Sequence, residues 1–228
     1  MANDAGTTTI PVPWSTGFED GFCGYPAVNG FCYTNSTQSS ASGAAYQMVT
    51  SPVHSGRFAA AFTVDSNLHG QARCVRQGVL PSAAYYSAWY FIPSIQTNNA
   101  NWNLLHFQGG TDPQDRLHNL WDVSLVNDQS GNLELNVLNL VGKGGAGANA
   151  APPVPIGSWF RIQMYLRRAA DATGEVTVYQ DGVVAYHLVN LMTDDSNWGQ
   201  WYVGNLATGL SPNESTIFVD DVEISDTL

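Results

Sequence analysis

The 228-residue sequence has a single lysine, Lys143, and only 8 basic residues against 19 acidic ones, a formal net charge of -11. A surface so short of cations repels phosphate backbones, which excludes nucleic acid as an expected partner. It also repels acidic polysaccharides at long range, although a local group of arginines can overcome that at one site. Charged residues make up 12% of the chain, about half the usual share. Gly, Ser, Thr, Asn and aromatic residues take their place, a composition typical of extracellular β proteins. No apolar run approaches the ~20 residues of a membrane helix, so no membrane span is expected. No window carries helical periodicity either, which leaves an all-β chain.

Cysteine is scarce as well. Of Cys23, Cys32 and Cys74, the first two share one Gly/aromatic loop. A Cys23–Cys32 disulfide that leaves Cys74 over is the expected pairing in an oxidising compartment, with three reduced thiols as the alternative. The start, Met1-Ala-Asn-Asp, lacks the basic and apolar segments of a signal peptide. The expectation is a secreted or cell-surface protein whose export signal lies outside this sequence. The Thr/Pro-rich residues 1–13 read as a flexible linker, and 14–228 as one domain, expected to be monomeric.

What is present is period two. Strands are predicted over Arg57–Val64, Ala84–Phe91, Asn103–Gln108, Leu120–Val126, Asn132–Leu140, Trp159–Arg167, Val176–Gln180, Val183–Leu188 and Ile217–Ser225. Asp181-Gly182 between two of them is a strong hairpin signal. Many strands joined by Gly, Pro and Asn turns give a two-sheet antiparallel jelly-roll β-sandwich. The glycine-rich stretch Gly142–Gly147 lacks the Gly-Lys-Ser/Thr ending of a phosphate loop and reads as a loop over a sheet edge.

Alternate residues of a strand share a face. His106 and Gln108 therefore oppose Leu105 and Phe107, and Asp122 and Ser124 oppose Trp121 and Val123. Glu134 and Asn136 oppose Leu135 and Val137, while Arg161, Gln163, Tyr165 and Arg167 oppose Phe160, Ile162 and Met164. These faces favour amide, imidazole, phenol and guanidinium groups over the Lys, Glu and Thr of an ordinary wet face. Such groups suit planar bonding to sugar hydroxyls and stacking on sugar rings. A polysaccharide is the partner they imply, bound by Gln108, Asn136, Gln163, Glu134 and Tyr202, with Arg73 meeting a carboxylate where the glycan is acidic.

The segment Phe18-Glu19-Asp20-Gly21 near the start and Val219-Asp220-Asp221-Val222 near the end resemble the paired first and last strands of concanavalin-A-like lectin/glucanase sandwiches. The stretches HSGRFAAAFTV, AYYSAWYFIP, NWNLLHF and VTVYQDGVV look like successive strands of the laminin-G-like and polysaccharide-lyase branch. In that superfamily the terminal acids often hold a structural calcium ion. The resemblance thus implies Ca2+ at Glu19, Asp20, Asp220 and Asp221, oxygen ligands that this hard cation prefers.

Activity is less legible. The Glu-x-Asp-x-x-Glu of jelly-roll glucanases, which places two carboxylates about a scissile bond, is absent. Polysaccharide lyases of this type resemble one another in Arg-x-Glu-x-Arg, Gln-x-His and Tyr-x-Lys-x-Gly-x-Tyr strands. Here Arg73 and Arg76 have odd spacing, His106 and Gln108 come in reversed order, and alignment on Gly204 puts Gln200, Tyr202 and Leu206 at the last motif's Tyr, Lys and catalytic Tyr. A lyase would then use His106, Arg73 and either Tyr165 or Tyr202. The expected function is a secreted carbohydrate-recognition protein. Its alternatives are a divergent lyase cleaving a uronate-containing glycan by β-elimination, and a structural or adhesive surface protein. A tyrosine beside His106 in a cleft is the feature that separates lyase from binder.

Overall fold

A computed structural model describes residues 9–24, 30–35, 43–110, 117–141 and 152–228, with the side chains of residues 23, 24 and 30–35 outside that description. Strands β1 (Trp14–Thr16), β2 (Gly30–Asn35), β3 (Ala44–Val49), β4 (Ala59–Asp65), β5 (Gln71–Gly78), β6 (Ala83–Phe91) and β7 (Thr97–Gly110) form the first half. The second half is β8 (His118–Asn127), β9 (Leu133–Asn139), β10 (Trp159–Arg167), β11 (Gly174–Gln180), β12 (Val183–Leu191), β13 (Trp198–Ser211) and β14 (Glu214–Ser225). Eight of them make one sheet in the order β12-β11-β10-β6-β14-β4-β3, with β1 added on β14. The other six make a second sheet, β2-β5-β13-β7-β8-β9. Every pairing between these strands is antiparallel, so the chain is the expected all-β sandwich.

Alternation builds the core. Phe160, Ile162 and Met164 of β10 and Tyr86, Ala88 and Tyr90 of β6 turn inward from the eight-stranded sheet. They meet Leu105 and Phe107 of β7, Trp121 and Val123 of β8, and Trp201 and Val203 of β13. Two polar ties cross this apolar layer. The Tyr90 hydroxyl donates to the Leu104 carbonyl at 3.1 Å, and burial raises this phenol far above its ordinary pKa. Asn205, fully buried, accepts from Trp102 Nε1 at 3.1 Å and donates to the carbonyls of Phe62 and Ser215 in the opposite sheet at 3.1 and 3.2 Å.

Several expectations hold in detail. The Trp159–Arg167 strand has the expected bounds, and Asp181 and Gly182 both adopt positive φ between β11 and β12, as a two-residue hairpin turn demands. The first and last strands pair, with Trp14 opposite Ile224. Others need correction. Residues 9 and 10 are not flexible linker, because Thr9 bridges Val79 and Ile10 is buried in the core. Cys74 is disulfide-bonded and therefore not left over, which rules out Cys23–Cys32 as the pairing of these three cysteines. Cys74 stands opposite Cys32 in the β2–β5 register; the side chains of Cys23 and Cys32 lie outside the described residues, as does the Gly142–Gly147 stretch.

Asn205→Ala removes one acceptor and two donated bonds from a dry interior, and it orphans the Trp102 N–H. It should lower unfolding free energy by about 2–4 kcal/mol, read as a shift in urea midpoint at unchanged slope.

Candidate functional site

The six-stranded sheet carries a polar outer face, and its register sets the side chains in rows. Tyr202 of β13 lies opposite His106 of β7, which lies opposite Asp122 of β8. One row over stand Gln77, Gln200, Gln108 and Asn119. On the other side run Gln71, Leu206, Asn103, Ser124 and Asn136. A pocket of about 250 Å³ opens here, lined by Gln71, Arg73, Asn101, Asn103, His106, Gln108, Asn119, Asp122 and Leu206.

Its chemistry starts from a buried pair. His106 Nδ1 and Asp122 Oδ1 are in a short hydrogen bond, with both side chains largely withdrawn from solvent. A carboxylate only accepts, so Nδ1 is the donor, and the neutral ring keeps its lone pair on Nε2. The Tyr202 ring packs beside the imidazole, with centroids 5.3 Å apart. Its hydroxyl lies 2.8 Å from Gln108 Oε1 and in short contact with Gln200 Oε1. The amide NH2 groups point away from it, Gln108 Nε2 donating to Asn119 and Gln200 Nε2 to Gln77. Tyr202 thus sits under the pocket, reaching its wall through Gln108.

Arg73 completes the group. Its guanidinium carbon stands 4.2 Å above the Tyr202 ring, and Nη2 donates to Gln71 Oε1. Gly204, opposite Arg73 in register, makes this possible. A Cβ at Gly204 would come within 2.4 Å of the Ala72 carbonyl oxygen and 3.2 Å of Arg73 Cγ, at a φ of +143°. Arg76 belongs to the other face, as its odd spacing implied, and is stacked over Trp14 at 4.2 Å. On the pocket floor, the buried Asn103 Oδ1 and Ser124 Oγ have no hydrogen-bond partner among the described residues.

The sheet therefore brings together His106, Arg73, Gln108 and Tyr202, with Asn136 on the same face at the edge strand and Glu134 one pair further, opposite Val126. It does not bring Gln163 or Tyr165. Both lie on β10 of the other sheet, where Tyr165 faces Tyr85 and Gln163 faces Ser87. Sequence reasoning missed Asp122 as the partner of His106, and Asn103 and Asn119 as lining groups. The shared parity of Asp122 and His106 was visible, but their register was not.

The terminal acids take local hydrogen bonds. Glu19 Oε1 accepts the N–H groups of Arg57 and Phe58 at 2.7 and 3.2 Å. Asp220 accepts those of His54, Ser55 and Asp221, while Asp221 bonds His54 Nδ1 and Ser55 Oγ. Asp20 is exposed. Among the described residues no three His, Cys, Asp or Glu side chains are grouped as metal ligands. Glu19, Asp220 and Asp221 pin the 54–58 loop to the last strand.

No family model and no curated sequence matches this chain. Solved structures do. The chain resembles the endo-beta-1,4-glucuronan lyase of the fungus Trichoderma reesei with a TM-score of 0.68, over 94% of this chain and 95% of that one, at 17% identity. The marine PL-14 alginate lyase from Aplysia kurodai gives 0.61 over 94% and 99%, at 11% identity. The cellulose induced protein Cip1 gives 0.56 over 93% and 97%, at 15% identity. The fold is the jelly-roll β-sandwich that these structures share. Among the described residues no helix is long and apolar enough to cross a membrane.

Within this jelly roll, burial raises the pKa of the fully enclosed Asp220 carboxyl, with Asp221 adding to it and the three N–H donors opposing it. The folded state therefore holds that proton more tightly than the unfolded chain. The group's contribution to stability is greatest below the ordinary carboxylate pKa and falls as pH rises through the folded value. Asp220→Ala should cost about 1–3 kcal/mol at neutral pH through the lost N–H acceptors. That is a fall in Tm of several degrees, and the gap to wild type should widen in melts run toward pH 4.

Proposed function

We propose that the protein is an extracellular polysaccharide lyase that cleaves a uronate-containing glycan by β-elimination in the pocket of the six-stranded sheet. The observation that carries this reading is Tyr202 side by side with the His106–Asp122 pair, under the guanidinium of Arg73. A binding face needs hydrogen bonds and stacking surfaces. It does not need a carboxylate-oriented imidazole next to a phenol, which is an arrangement for moving protons. The lyases among the structural neighbours, at 17% identity or less, support the same reading through the shared fold.

The reaction assigns one task to each group. Arg73, with the Gln71 and Asn103 amides beside it, meets the uronate carboxylate and offsets the charge that builds there as the C5 proton leaves. His106 Nε2 takes that proton, and Asp122 holds the ring and stabilises the imidazolium. Electrons of the C5–H bond form the C4–C5 double bond, and the C4–O4 bond breaks. The departing O4 takes a proton from the Tyr202 hydroxyl, which the Gln108 side chain above it uncovers by swinging aside, so the new chain end leaves as an alcohol. Proton return from the imidazolium to the phenolate, whose rings are neighbours, resets the site. The buried Asn103 Oδ1 and Ser124 Oγ suit sugar hydroxyls, as does Asn136 beyond them. The disulfide at Cys74 accords with an oxidising, extracellular setting.

The test is a panel of uronate-containing and neutral polysaccharides, followed by the ultraviolet absorbance of unsaturated products. His106→Ala and Tyr202→Phe should each lower the rate by about 10²–10⁴-fold with little change in KM, the size of a lost acid–base step. Asp122→Asn should lower it roughly ten- to a hundredfold by misorienting the imidazole. No new absorbance on any uronate glycan, together with retention on one of them, would return the protein to a binding role.

Charge adds a second readout. A chain of net charge -11 repels its acidic substrate until salt screens the field. Raising ionic strength from about 0.01 to 0.15 M shortens the screening length from about 30 to 8 Å. The KM for a uronate glycan should fall severalfold over that range.

A further inference from the structure

The residues that sequence reasoning placed in the binding face but the structure moved elsewhere, Gln163 and Tyr165, belong to a second patterned surface. It is the outer face of the eight-stranded sheet, on the opposite side of the sandwich from the pocket. Ile162, Met164 and Leu166 of β10 are fully buried in the core, so Arg161, Gln163, Tyr165 and Arg167 face outward. Tyr165 pairs with Tyr85 of β6, their ring centroids 4.9 Å apart. Tyr179 of β11 lies beside Gln163 in register. Its phenol is pushed above the ordinary value by partial burial and then by Tyr85, with Tyr165 contributing, so the three phenols share one patch.

Further along the same strands the aromatic character continues. Phe91 meets Trp159 at 5.6 Å and Phe218 at 5.8 Å, and Trp89 stacks on His54 at 3.8 Å. All of these rings are partly exposed. From Trp159 to Tyr165 the band runs six residues, roughly 20 Å of strand. Aromatic surface left in water on the central strands of a sheet costs about 25 cal/mol per Å², and a solvated face has no need of it.

The charges on this face cancel. Arg161 pairs with Glu223 and Arg167 with Glu175, each at 3.2 Å. Neither of these arginines is left over to attract an anion, in a chain that is already strongly acidic. Gln163 supplies an independent sign of a missing ligand. It faces outward yet is 4% exposed, and its Nε2 is buried without a hydrogen-bond partner among the described residues. An amide donor in that position lacks an acceptor oxygen.

We propose that this outer face is a second glycan-binding surface, specific for a neutral polysaccharide whose pyranose rings stack on the Tyr85–Tyr165 pad. Ring hydroxyls would bond to the phenols and to the Gln163 amide, which becomes reachable as the phenols shift. The surface carries no catalytic group and makes no demand on the pocket. It holds the protein on a neutral matrix while the opposite face meets an acidic chain. The proposal stands whether or not the pocket is a lyase site.

Retention on an insoluble neutral β-linked glucan, and retardation in gels containing a soluble one, test it. The wild-type protein and His106→Ala should bind alike. The double variant Tyr85→Ala/Tyr165→Ala should bind roughly tenfold more weakly, the loss expected of two stacking rings. Its action on soluble uronate glycan should be unchanged. Should the double variant fold poorly, protection of wild-type Tyr85, Tyr165 and Tyr179 from iodination by the soluble neutral glucan answers the same question. Unaltered retention in the variant, no protection, or no retention of wild type on any neutral glycan overturns the proposal. So does a wild-type dimer that the variant converts to monomer, because the face would then be a contact between two copies.

Discussion

The close approach of β13 to β5 at Gly204 is the constraint on which the pocket depends. With 2.4 Å between a hypothetical Cβ and the Ala72 carbonyl oxygen, no side chain fits between the two backbones. That vacancy lets the Arg73 guanidinium fold across the Tyr202 ring and stand over the imidazole row. The next residue, Asn205, turns inward and ties this strand to Phe62 and Ser215 of the opposite sheet. Irregularity and anchoring therefore sit side by side. Register shifts between Val203 and Leu206 against β7, and between Asn103 and Leu105 against β8, flank His106 and Tyr202. Such bulges re-aim side chains, and here they let the rows of Gln108, His106 and Asn103 share one concavity.

This arrangement also explains why the jelly roll was easier to read than its site. Strands with one wet face, such as β10 and β9, alternate cleanly and were found within about a residue of their bounds. The strands that hold Arg73 and Tyr202 are buried on both sides. In β5 Val75 is as enclosed as Cys74, and in β13 Trp198, Tyr202 and Val203 are all enclosed. Alternation disappears where both faces are covered, and three glycines weaken the β signal of β13 further. The central strand of the pocket was thus invisible to periodicity, although its residues had been noticed as an imperfect match to a lyase motif.

Parity along a strand fixes which face a residue takes but carries no information about which sheet the strand joins. Gln163 and Tyr165 have the same outward sense as His106 and Gln108, yet β10 pairs with β6 and β7 pairs with β13. Two similar polar patterns therefore merged into one expected surface. The polar character of these faces was legible, and the partition into two sides was not, because it is decided by long-range pairing between strands more than fifty residues apart. The cysteines failed for the same reason. Cys23 and Cys32 are near in sequence, whereas the register sets Cys74 against Cys32 across two strands that sequence proximity does not connect.

The acidic balance of the chain gives the two faces different chemistry. Repulsion from a net charge of -11 acts on any polyanion at a distance, so an acidic glycan is held only where a cation meets it at short range. On the pocket side the Arg73 guanidinium lies over an aromatic face, and the strands there carry no glutamate opposite it. On the far side both arginines are matched to glutamates, and phenols and indoles dominate. The same scarcity of cations that argues against nucleic acid thus divides the sandwich. One face sets a guanidinium beside an imidazole and a phenol, and the other sets phenols and indoles among matched charges.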